Sequence, residues 1–157
     1  MDICFNTKIN NNIKYNKAEA EKLKLIEYAI NINFMIMAEI IIDPTKNTIS
    51  VEVESQSIHA LGFDITVYDA DDNFLEDLEG STEDEPVWKK PLKLKPSESK
   101  GKYINGIFNF KSPDGTDYDY KAIFSLLLDD VKITPVITLI GKTNKGNATT
   151  ISDFQIS

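Results

Sequence analysis

The chain has 157 residues, 17 basic and 25 acidic side chains and a formal net charge of −8, a length that suits one domain burying roughly 70% of its unfolded surface without disulfides or metals. Every basic residue is lysine, so the planar guanidinium fork suited to bidentate phosphate contacts is absent and no basic stripe offsets the acidic balance. Nucleic acid and anionic membranes are excluded as expected partners.

Residues 1–16 read as an arm, in which Ile3, Phe5, Ile9 and Ile13 are apolar side chains that repay burial only against a sheet edge or a groove. Met1–Lys8 lacks the basic region and continuous apolar run of a secretory signal, which predicts a cytoplasmic protein while leaving room for export by an unconventional route. The single Cys4 rules out an intramolecular disulfide, and with the single His59 it leaves too few soft ligands for a structural zinc site. No cofactor is expected. Isoleucine, lysine and asparagine number 21, 17 and 13, a bias that an AT-rich genome produces and that accounts for the missing arginines without a functional cause.

From residue 17 onward the pattern predicts a single domain. Asn16 with Glu19 three positions on forms a capping box for a short helix through Leu23, or else Leu23 and Leu25 open the following strand through a bulge. From Ile30 to Ile42 the even positions are apolar, the period of a long strand with one buried face. Glu27, Asn31, Asn33 and Glu39 keep the apolar stretch from Leu25 to Ile42 from being a membrane span. Asp43–Asn47 is a turn, and Ile49, Val51 and Val53 answer the strand as a hairpin. Phe63–Tyr68 and Phe74–Leu78 make a second hairpin across Asp69–Asn73, and Glu79–Pro91 reads as a long loop. Lys102–Phe110 and a return strand from about Tyr118 to Leu128 flank the turn Ser112–Gly115, and Val136–Ile140 with Thr149–Ile156 bracket a last hairpin. Eight or nine strands at regular spacing predict an all-β, antiparallel β-sandwich.

The segment Val67–Leu75, with Tyr68-Asp69-Ala70-Asp71-Asp72-Asn73 at its centre, resembles the hairpins of immunoglobulin-like and fibronectin-type sandwich modules. Leu94–Ser99 is similar to the turn before a strand in such modules, and Thr143–Thr149 to their final hairpin. Asp72 and Ser97 stand where glycine is usual, and the antibody-type cysteine pair is missing. The resemblance implies a binding or structural module and carries no functional residue across.

Asp69–Asn73 matches the opening of an EF-hand loop, but Phe74 replaces the glycine that makes its sharp turn and Gly80 replaces the bidentate glutamate. Nine carboxylates between Asp69 and Glu85, with no lysine among them, read as a solvated hairpin and loop or as a calcium site of another type. Gly141-Lys142-Thr143 imitates a phosphate loop without its first glycine or its helix. His59 stands near Ser55 and Ser57, a sequence proximity that suggests a base beside a nucleophile but more often marks a structural histidine. Trp88, Tyr103, Tyr118 and Tyr120 are candidates for an aromatic platform or for the core.

The expectation is a non-enzymatic structural or assembly subunit that meets a protein partner, itself included as a homo-oligomer. Two alternatives stand beside it: a small acidic inhibitor or immunity-type protein that binds a basic partner, and a calcium- or carbohydrate-binding module. The interaction residues expected are Ile3, Phe5, Ile9 and Ile13 of the arm, and Glu83, Asp84, Glu85 and Trp88.

Overall fold

The computed structural model describes residues 36–157. The arm residues Ile3, Phe5, Ile9 and Ile13, the helix-or-strand alternative after Asn16, and the first part of the strand from Ile30 all lie outside the described residues.

Among the described residues ten strands form two five-stranded sheets. In spatial order the first sheet is β1 (Ile36–Ile40), β10 (Asn147–Ile156), β6 (Tyr103–Lys111), β3 (Ala60–Tyr68) and β4 (Phe74–Ser81). The second is β5 (Val87–Pro91), β2 (Ile49–Ser55) and β7 (Asp119–Leu128), with β8 (Val131–Lys132) and β9 (Ile137–Lys142) both paired to β7. All pairings are antiparallel except β1 with β10, which is parallel. The architecture is therefore the expected all-β sandwich. Among the described residues no helix is long and apolar enough to cross a membrane.

Alternation places one apolar set per strand between the sheets. Val51 and Val53 of β2 and Phe124 and Leu126 of β7 face Ile65 of β3, Phe108 of β6 and Phe154 of β10 in one continuous core. Phe124 is the centre of this contact, with ring centroids 5.1 Å from Phe108 and 4.9 Å from Phe154. Truncating such a ring to alanine costs about 3–5 kcal/mol.

The β3–β4 hairpin forms where its turn chemistry predicts. Asp69 Oδ1 accepts the backbone N–H groups of Asp71 and Asn73, both at 2.9 Å, and Asp72 takes the left-handed conformation at φ 62°. Three other expected hairpins are corrected. β1 pairs with β10 and β2 with β5 and β7, so Asp43–Asn47 joins different sheets. The strand after Ser112–Gly115 does not return beside β6 but crosses to β2, and β9 and β10 likewise lie in opposite sheets. An arch between sheets and a hairpin within one impose the same apolar alternation, which is why local pattern does not separate them. Glu79–Pro91 is also not one loop, because β4 continues to Ser81 and β5 begins at Val87. With β5 and the two-residue β8 the strands among the described residues number ten instead of eight or nine.

Candidate functional site

Three connections meet at one end of the sandwich: Gln56–His59 after β2, Thr82–Pro86 after β4, and the chain leaving β6 toward β7. Between them lies a cleft of about 490 Å³, walled by residues that include His59, Thr82 and Ser112 and by the acidic run Glu83, Asp84 and Glu85. A second hollow of about 340 Å³ adjoins it, sharing Ala60, Glu83 and Lys111 and extending over Asn109 and Thr149 of the first sheet.

Backbone hydrogen bonds fix these connections to the sheets. The Ser55 N–H donates to Pro86 O and the Gln56 N–H to Lys121 O, both at 2.8 Å. The Thr82 N–H donates to Leu61 O at 2.9 Å and the Ser112 N–H to Gly146 O at 2.8 Å. Gly146 has φ +76° and packs on Gly115 and the Ser112 hydroxyl so closely that a Cβ there would overlap both. The Glu83 N–H donates to Ser81 Oγ at 3.1 Å, which shapes the start of the acidic run. A site built this way is held in place before anything binds.

His59 is only 3% exposed and stands edge-on to Phe110, Tyr118 and Tyr120, with centroids 6.2–6.4 Å away. Its Nδ1 is 3.1 Å from Ser57 Oγ, so the serine and histidine that are neighbours in sequence do touch. The other ring nitrogen, Nε2, has no hydrogen-bond partner among the described residues. The same holds for Thr82 Oγ1 and Ser112 Oγ, in residues 8% and 3% exposed. Buried polar atoms are nearly always paired, and of the five exceptions among the described residues three belong to this one cleft.

The electrostatics are one-sided. On the outer face of the second sheet acids are paired, Glu52 with Lys132 at 2.7 Å and Asp130 with Lys89 at 2.9 Å. Among the described residues no lysine lies within ion-pair distance of Glu83, Asp84 or Glu85, and Lys111 is the one cation in the cleft wall.

The structure thus brings Glu83, Asp84 and Glu85 together with His59 and places Trp88 elsewhere. Trp88 sits on β5, not in a loop, with its ring 4.9 Å from that of Phe63 and the Lys90 ammonium 5.5 Å above it. Tyr120 stacks on Phe110 at 4.0 Å and Tyr103 on Tyr68 at 5.0 Å, so these aromatics face one another in separate places and share no platform. Asp69 spends its carboxylate inside its own turn, where the Asn73 side chain holds it below the ordinary carboxyl value. Among the described residues no group of three or more His, Cys, Asp or Glu is arranged to hold a metal ion. Thr82 and Ser112 escape sequence reasoning, since nothing in a lone threonine or serine signals a buried hydroxyl without a partner. No family model matches the chain, and comparison with curated proteins and with solved structures returns no match.

Proposed function

We propose that the protein is a non-enzymatic assembly subunit that works by protein contact, joining copies of itself along one flank of an immunoglobulin-like sandwich. The observation that carries this reading is the difference between the two pairs of sheet edges. β4 is guarded by the exposed acids Asp77 and Glu79 and by the inward-pointing Glu76, and β5 is a short strand carrying Lys89, Lys90 and Pro91. These devices discourage strand addition. On the other flank β9 approaches β1, and Ile140 is 67% and Ile41 79% exposed, with Met37, Val131 and Val136 also open. This edge is the more apolar and carries fewer such guards, in Glu39 of β1, Lys132 of β8 and Lys142 of β9. An apolar edge is where a further chain adds, through backbone hydrogen bonds and alternate side chains. The spatial order β10, β6, β3, β4 has the arrangement of strands G, F, C and C′ in an immunoglobulin domain, which supports that likeness, while β7 and β9, inserted before β10, depart from it.

Light scattering after size-exclusion chromatography tests the proposal. The mass should rise between about 10 μM and about 1 mM protein, as mass action requires, and Ile140→Lys with Ile41→Lys should hold it at the monomer without lowering the melting temperature. Deleting residues 2–13 should also shift the assembly, if Ile3, Phe5, Ile9 and Ile13 serve it. A monomer at every concentration overturns the reading.

A second reading, docking of a basic partner, is favoured by the convergence of Glu83, Asp84 and Glu85 on the loop-end cleft.

A further inference from the structure

We infer that the loop-end cleft is a receptor for a single basic side chain, lysine or arginine, presented by an extended segment of a partner protein. This deepens the basic-partner reading and rests on it. Three features of the cleft converge on such a ligand. Its rim carries three carboxylates against one lysine, which selects a cation. Its lining residues Thr82, Ser112 and His59 carry two hydroxyls and a ring nitrogen that are buried and unpartnered among the described residues, polar groups that an entering ammonium or guanidinium would pair. Its mouth includes Ile58, Pro86 and Pro113, an apolar lining suited to the methylene stem of the same side chain.

The size agrees. A cleft of about 490 Å³ takes one long side chain with its backbone, and the adjoining hollow over Asn109 and Thr149 leaves room for the residues on either side of it. A bare metal ion would use neither the stem-lining residues nor the second hollow. A polyol would leave the negative charge of the three carboxylates unmatched.

The test is a titration of the full chain, followed by amide NMR, with the tripeptides acetyl-Gly-Lys-Gly-amide and acetyl-Gly-Arg-Gly-amide, and with acetyl-Gly-Glu-Gly-amide as the control. The basic peptides should shift the signals of Ser57–Ala60, Thr82–Glu85 and Ser112 saturably, and the acidic one should not. The triple variant Glu83→Gln, Asp84→Asn, Glu85→Gln should weaken binding about tenfold, whereas the equally discharged hairpin variant Asp71→Asn, Asp77→Asn, Glu79→Gln should change it less than about twofold. Thr82→Val and Ser112→Ala should each weaken binding about threefold or more while leaving the melting temperature undiminished. Equal losses from the two triple variants would overturn the receptor but leave a diffuse docking of basic partners standing. Hydroxyl variants that bind as tightly as the parent would also overturn it. An absence of any saturable shift with either basic peptide would overturn the receptor and the basic-partner reading together.

Discussion

Both carboxylate oxygens of Glu76 accept the backbone N–H of Lys93, at 3.0 and 2.9 Å, so a buried acid of the β4 edge in the first sheet holds the chain that has just left β5 of the second. Removing the carboxylate leaves that N–H without its partner. Glu76→Ala is expected to destabilise the fold by about 1–3 kcal/mol, with an unchanged denaturant slope in urea unfolding. A loss below measurement error would mean that water serves the Lys93 N–H equally well.

Tyr103 donates its hydroxyl hydrogen to Asp72 Oδ1 at 2.7 Å, and this hydrogen bond, with burial and the Asp72 charge behind it, pushes the phenol up to about 12. A raised folded value means that the folded state keeps the proton longer, so the contribution is complete below the ordinary tyrosine value near 10 and is lost as pH rises through about 12. Ultraviolet titration should show one tyrosine ionising late, and Asp72→Asn should return it toward the ordinary range.

Asp153 is 5% exposed, and burial raises its carboxyl above the ordinary value against the lowering effect of the Asn105 amide, which donates to Oδ1 at 2.6 Å. A carboxyl raised in this way weakens the fold as pH climbs through its folded value and weakens nothing below its unfolded value. Asp153→Asn is therefore expected to raise the melting temperature at neutral pH. The gain should fade as the pH falls through the carboxylate range, and a gain independent of pH would point to packing instead.

Gly80 faces inward on β4, and a Cβ there would fall on the rings of Phe63 and Trp88. Gly80→Ala is expected to cost about 1–3 kcal/mol by overpacking and to shift the emission of Trp88, the one tryptophan of the chain. Unchanged emission would show that β4 yields before the aromatic pair does.

The β3–β4 hairpin was legible because everything that makes it is local: alternation on both sides and an Asp69 side chain that closes its own turn. Partner choice is not local. Ile49, Val51 and Val53 need a buried face, and either sheet supplies one, so nothing in their spacing says that β2 pairs with β7 instead of β1. β5 was hidden for a different reason: Trp88 is its one large apolar residue facing the core, and Val87, Lys89, Lys90 and Pro91 have the composition of a surface loop. The acidic half of the cleft was visible as the run Glu83–Glu85, and His59 as an oddity. Their meeting depends on the β2–β3 and β4–β5 connections sharing one end of the sandwich, a matter of topology that no motif encodes.

The parallel pairing of β1 with β10 has a mechanical consequence. Tension applied between Ile36 and Ile156 pulls the two strands along their length in opposite directions, so the ladder between them is sheared as a set instead of opening one rung at a time. The Ser157 N–H, donating to Ile40 O at 3.1 Å, extends that ladder by a rung. A subunit pulled through these two points resists by the strength of the whole seam, and detaching β1 would expose the edge of β10 and part of the core beneath it.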